Sequence, residues 1–171
     1  MGTVGDRYLF YASANVGIGT AKPKAALEAK GLFIRKVFVA TGLGPGDDTD
    51  PVAGGRRIIS RTLKFTKLHA DTAIRVLYCD NLRILGNNVA ARWEIRLDGA
   101  HPPGGSIYQD KYARTGDQHD PATILGYATG VPAGDHQIQI RVNIVGGSTT
   151  DADTGWANSR WTIEAQKVWM Q

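Results

Sequence analysis

Strict alternation of apolar and polar residues constrains this chain more than any other feature. Trp93, Ile95 and Leu97 interleave with Arg92, Glu94, Arg96 and Asp98. Ile138, Ile140, Val142 and Ile144 interleave with Gln139, Arg141 and Asn143, and Trp161, Ile163 and Ala165 with Thr162, Glu164 and Gln166. A period of two is that of side chains along a β-strand, and one apolar with one polar face means a sheet buried on one side. Antiparallel sheets tolerate this, whereas parallel sheets are covered on both faces. The same pattern places Ile59, Arg61, Leu63 and Phe65 on one strand and Ile74, Val76 and Tyr78 on another. Val168-Trp169 falls out of phase at the end of the last strand, which predicts a bulge after Gln166. Short strands, turns rich in glycine and proline, and no helical periodicity predict an all-β fold, an antiparallel β-sandwich of jelly-roll type. Trp93, Ile95, Leu97, Ile138, Ile140, Val142 and Ile163 should share its core.

At 171 residues the chain can hold one domain with a proper core plus an appendage. Its 20 Lys and Arg against 16 Asp and Glu leave a net charge of +4. Those cations are scattered through the alternating strands, which suits a solvated sheet face better than the clustered patch nucleic acid requires. The single cysteine, Cys79, excludes an intrachain disulfide framework and a cysteine-rich zinc site. It lies in the apolar run 74–79 and is expected to be a buried, inert thiol. Residues 7–14 end like a signal peptide but have too short an apolar centre, and Asp6 breaks the myristoylation pattern after Met1-Gly2. No run approaches the ~20 apolar residues of a spanning helix. The expectation is a chain folded in a bacterial cytoplasm, without a signal peptide or membrane insertion, that reaches the exterior within a virion or similar particle.

Asn15-Val16-Gly17-Ile18-Gly19-Thr20 is followed at fixed distances by Pro23, Leu27 and Gly31. Glycines between β-branched residues let chains approach closely while Val16 and Ile18 fill the gaps. The pattern resembles the glycine-punctuated element of bacteriophage tail-fibre stalks and related bacterial surface fibres. It departs from that element at Ala29, where a larger apolar residue is usual. The resemblance implies a short intertwined trimeric stalk over residues 1–36 and a distal head over residues 37–171. Residues 22–30 have helix-favouring types but fall short of the ~12–15 residues an isolated helix needs, and they are read as extended. Residues 43–55, all breakers and acids, are read as a long loop.

Pro132-Ala133-Gly134-Asp135-His136-Gln137-Ile138-Gln139-Ile140 and Ser159-Arg160-Trp161-Thr162-Ile163-Glu164-Ala165 carry a second resemblance. They are similar to the last strands of trimeric jelly-roll heads of the complement and tumour-necrosis-factor type, found also in bacterial and phage fibres. Trp161 stands where an aliphatic residue is more usual. The layout extends over residues 56–171 and implies a homotrimer, as the stalk element does independently. It also implies a structural role for His136 at a strand start.

Motifs for covalent or nucleotide chemistry are missing. Gly42-Leu43-Gly44 lacks the third glycine of a dinucleotide fingerprint, with Asp47 in its place, and reads as a turn. Without a Walker sequence, a His-x-x-x-His zinc motif or a nucleophile elbow, the chain is not expected to be an enzyme. Asp47, Asp48 and Asp50 have a spacing able to surround calcium but lack the glutamate that completes an EF-hand loop. No cofactor or metal is therefore expected, with calcium at that loop as the alternative and residues 151–154 as a weaker second loop. His69, His101, His119 and His136 do not recur at metal-ligand spacing and read as surface or capping residues.

Ligand contacts belong in loops on a rigid scaffold. Residues 100–105, 108–120 and 155–158 combine aromatic faces that stack on sugar rings with side chains that hydrogen-bond hydroxyls. The candidate binding residues are His101, Tyr108, Tyr112, Arg114, His119, Trp156 and Asn158. Tyr108 and Tyr112 suit a trimer interface equally well. Together these features point to a homotrimeric receptor-binding tip of a phage or phage-like tail fibre, attaching a particle to a glycan on a bacterial or other cell surface. Three identical sites would multiply a weak affinity. A structural trimerisation cap that contacts other fibre or particle proteins is the alternative, and a polysaccharide depolymerase the third reading.

Overall fold

The computed structural model describes residues 9–12, 15–18, 27–29, 37–46, 56–147, 152–168 and 170. The chain forms two compact units, Met1–Arg35 and Lys36–Gln171. In the first, β1 (Leu9–Ala12) pairs antiparallel with β2 (Asn15–Ile18), which pairs parallel with β3 (Leu27–Ala29). The third strand bears out the extended reading over those residues; the rest of 22–30 lies outside the described residues.

The second unit comprises β4 (Val37–Leu43), β5 (Arg56–Lys67), β6 (Ala73–Leu85), β7 (Val89–Leu97), β8 (Ile107–Ala113), β9 (Asp117–Ala128), β10 (Gly134–Gly146), β11 (Ala152–Thr154) and β12 (Arg160–Val168). One sheet has the order β5-β10-β7-β8, the other β11-β6-β12-β4 with β9 also on β6, and every pairing is antiparallel. No helix occurs among the described residues. This is the jelly-roll sandwich that the alternation predicts. Leu63, Phe65, Trp93, Ile95, Leu97, Ile138, Ile140 and Val142 of one sheet share a core with Ile74, Val76, Tyr78, Trp161, Ile163 and Ala165 of the other. The seven core residues named from sequence are all in it. Trp93 satisfies its indole there by donating from Nε1 to Thr154 Oγ1 at 2.8 Å.

Several expectations need correcting. β12 keeps its register against β6 through Val168, opposite Ala73, so there is no bulge after Gln166; Trp169 lies outside the described residues. The register breaks instead between Gln139 and Ile140 against β5, and between Ile144 and Gly146 against β7. The first break turns Ile58 inward and leaves Ile59 60% exposed, so Ile58 and not Ile59 shares a face with Arg61, Leu63 and Phe65. Cys79 is half-buried on the outer face, 3.3 Å from Thr123 Oγ1. Both faces of β6 carry apolar residues in that run, which hid its phase. Gly42 and Leu43 belong to β4, and Gly44 (φ +82°) makes the turn that ends it.

Arg61 occupies a core-facing position because its charge is matched. Its Nε donates to Asp80 Oδ2 at 2.8 Å, its Nη2 donates to the Gly44 carbonyl at 2.7 Å, and its guanidinium lies 4.7 Å from the Trp161 ring centroid. Tyr78 donates its hydroxyl to the same carboxylate oxygen at 2.8 Å. Burial first, and then the Asp80 charge, push the Tyr78 phenol well above its ordinary range.

Candidate functional site

The long 108–120 loop read from sequence is instead two strands, β8 and β9, joined by a turn at 114–116. Tyr108, Tyr112 and His119 therefore sit on strands, and only Arg114 lies in the turn. Exposed Tyr and Asp residues gave β8 no apolar face from which its period could be read.

The structure brings together two of the sequence-predicted residues, His119 and Trp156. On β6, Asn81 and Arg83 project from the outer face of the second sheet, opposite Pro121 and His119 of β9. On the other side of β6, Asp153 of β11 pairs opposite Arg83 and accepts its guanidinium hydrogen bond. β11 leads directly into the loop carrying Trp156. Gly155 (φ +85°) makes that entry possible: a Cβ there would stand 2.4 Å from the Gly44 carbonyl oxygen. Trp156 and Ser159 then close a turn, with Ser159 N donating to Trp156 O at 2.7 Å and Trp156 N donating to Ser159 Oγ at 3.0 Å. Asn158 is exposed within it.

The result is an indole 46% exposed, its ring 4.5 Å from that of His119, with the Arg83 guanidinium 6.0 Å from its centroid. His119 Nδ1 and Asn81 Oδ1 are buried and have no hydrogen-bond partner among the described residues. Buried polar atoms are nearly always paired, so these two unpaired atoms beside an exposed indole set this patch apart from the rest of the sheet face. No local motif marks Asn81 and Arg83, and Asp153 belongs to the weaker candidate calcium loop at 151–154, of which residues 152–154 are instead strand β11; only the β11-β6-β9 register assembles the three.

The other predicted contacts lie elsewhere. Tyr112 donates its hydroxyl to Asn88 Oδ1 at 2.8 Å, and exposed Arg114 sits in the adjoining turn, its carbonyl accepting from Asn88 N at 3.2 Å. Nearby, the Lys111 hydrogen bond holds the Asp120 carboxyl below the usual carboxylate range. His101 and Tyr108 are on the outer face of the first sheet, on the opposite side of the sandwich. His101 Nδ1 is 3.0 Å from Ser106 Oγ, and the Tyr108 ring is covered by Arg92, whose Cζ lies 3.7 Å from its centroid. Asp47, Asp48 and Asp50 lie outside the described residues.

A groove of about 560 Å³ opens at one end of the sandwich, floored by Phe38, Phe65 and His136 and edged by Lys64, Thr66, Asp98 and Asp135. His136 Nδ1 is 2.7 Å from Asp98 Oδ2 and its Nε2 is 3.1 Å from the Pro132 carbonyl oxygen. Both ring nitrogens are thus engaged in fixing the start of β10, the structural role its position implied.

The two antiparallel sheets define a jelly-roll sandwich. The family model for the C-terminal domain of CTHRC1 matches residues 56–163, and the chain belongs to that family. No curated protein matches it. Among solved structures, a protein of the infectious bursal disease virus Gx strain is 13% identical, with a TM-score of 0.40, over 81% of this chain and 38% of that one. The VP2 subviral particle of infectious bursal disease virus gives 13% identity and a TM-score of 0.37 over 89% of this chain and 41% of that one. The CBM36-1 domain of a multidomain xylanase from the hindgut metagenome of Trinervitermes trinervoides gives 14% identity and a TM-score of 0.33 over 77% of this chain and 99% of that domain. The chain thus spans well under half the length of the viral chains, and all three likenesses are remote.

Proposed function

We propose that this protein is the non-enzymatic, receptor-binding head of a homotrimeric phage-like fibre, holding a particle to a cell-surface glycan. The observation that carries the reading is the uncovered outer face of the second sheet. Its registered rows read Val37, Gln166, Arg75, Tyr127, then Val39, Glu164, Leu77, Leu125, then Thr41, Thr162, Cys79, Thr123. Val39, Leu125 and Tyr127 are 52%, 49% and 44% exposed. Exposed apolar side chains here alternate with Gln166, Arg75 and Glu164, the mixed composition of a subunit interface, and two further copies of the chain would cover it. The three-fold count comes from the resemblances in the stalk and head. The Trp156 site then supplies the ligand contact, with one indole per subunit and avidity from three. The chain carries no chemistry of its own in this reading, is folded in a bacterial cytoplasm and works on the outside of a particle.

Light scattering of the dilute protein should give three times the 18.4 kDa chain mass; a mass of one chain would overturn the oligomer. On a glycan array, Trp156→Ala trimers should lose at least ~10-fold in binding to whichever glycan the parent retains, as an anchoring ring does. Their melting temperature should hardly change, because the ring is 46% exposed and its aromatic and cation contacts among the described residues are with His119 and Arg83. Equal binding by parent and variant would remove Trp156 as the anchor. The structural-cap reading draws on one feature: the Arg83–His119 row continues the apolar face. Failure of Trp156→Ala to assemble would favour it.

A further inference from the structure

Four of the arginines scattered along the sequence, Arg57, Arg92, Arg96 and Arg141, are brought by register onto one surface, the outer face of the β5-β10-β7-β8 sheet. Arg57, Arg141, Glu94 and Tyr108 form one row across it, and Asn143, Arg92 and Asp110 the next, with Arg96 beside Gln139. Both carboxylates here are consumed internally. Arg92 donates from Nε and Nη2 to the two oxygens of Asp110, at 2.6 and 2.8 Å. Glu94, expected in solvent, is only 3% exposed, because Arg96 lies across it and donates to Oε1 at 2.9 and 2.6 Å while Asn143 adds a third donor at 3.1 Å.

Arg57 and Arg141 remain. They stand directly opposite one another on adjacent strands and have no ion-pair partner among the described residues. Like charges in that position repel. Arg141 Nε is buried without a hydrogen-bond partner, and so is Oε1 of the neighbouring Gln139, a residue only 8% exposed. A solvated charge would not bury its donor unpaired. Two arginines paired across adjacent strands, with a missing acceptor at Arg141 Nε and a missing donor at Gln139 Oε1, match an oxyanion that also carries hydroxyls.

We propose that this face is a second binding surface, separate from the Trp156 site, and that it takes an acidic polysaccharide whose carboxylate or sulfate group lies between Arg57 and Arg141. The sugar hydroxyl donates to Gln139. Nucleic acid fits less well: the one aromatic ring on these rows, Tyr108, is capped by Arg92 and offers no platform on which bases stack.

Titration of the full chain at low salt with polygalacturonate, dextran sulfate and neutral dextran tests this. One or both acidic polymers should bind and neutral dextran should not; the first polymer alone points to carboxylate, the second alone to sulfate. Arg57→Gln with Arg141→Gln should weaken binding at least ~10-fold. The same pair should leave the melting temperature unchanged or raised, since it removes a repulsion. Arg141→Lys should retain part of the affinity, and Trp156→Ala should retain all of it, which separates this surface from the glycan site. Binding of neutral dextran, binding by neither acidic polymer, or an undiminished affinity in the double variant would overturn the proposal. So would single-stranded DNA binding more tightly than both polymers.

Discussion

Arg61→Ala should destabilise the protein by ~3–5 kcal/mol, the range for removing one partner of a buried ion pair. The side chains of Arg61 and Asp80 are 1% and 0% exposed. Without the guanidinium, Asp80 retains only the Tyr78 hydroxyl and the Asn81 amide as donors, at 2.8 Å each. The Gly44 carbonyl loses its partner, and the Trp161 ring loses the cation stacked on it. These contacts run from β5 of one sheet to β6, β12 and the end of β4 in the other, so the loss falls on the joint between the sheets. Denaturant unfolding should show a lower midpoint with an unchanged slope. The variant Arg61→Met with Asp80→Leu should recover most of the loss, because it removes the buried charge together with its counter-charge. A cost of Arg61→Ala within ~0.5 kcal/mol, as for a surface substitution, would mean that the pair is not buried in solution.

Alternation made the strands and the core readable from sequence because burial on one face of a sheet writes itself into every second residue. What pairs with what is not written there. Arg61 is visible at a core position, but its partner Asp80 lies 19 residues away on a strand of the opposite sheet. Glu94 looks like a solvent residue by phase and is buried by Arg96, two positions along the same strand. β8 escaped notice because Tyr108, Gln109 and Asp110 are all exposed, as an edge strand permits. Ile59 misled because a bulge changes phase without any change in composition. The proposed binding surfaces were hidden in the same way: His119 and Trp156 each stood out in the sequence, yet Arg83 and Asp153 join them only through register. Register likewise turns a dispersed set of arginines into a single face. Local pattern fixes which residues face inward, and long-range pairing fixes which outward ones become neighbours.

Ile140→Ala should cost ~2–5 kcal/mol, through lost transfer energy and the cavity left behind. Ile140 is fully buried on the central strand β10, opposite Ile58 of β5 and Ile95 of β7, both also fully buried. Neighbours held on both sides by sheet hydrogen bonds cannot close onto the gap, which places the site towards the upper part of that range. Ile144→Ala is the matched control: the same atoms are removed from the same strand, so the change in strand propensity is the same, but Ile144 is only half-buried and faces Ala91. The difference between the two variants therefore reports burial alone. Urea midpoints should separate them by well over ~1 kcal/mol. Equal losses would mean that β10 is shifted along its neighbours. A one-residue slip there would carry Ile138, Ile140 and Val142 to the outer face and bring Gln139 and Arg141 into the core.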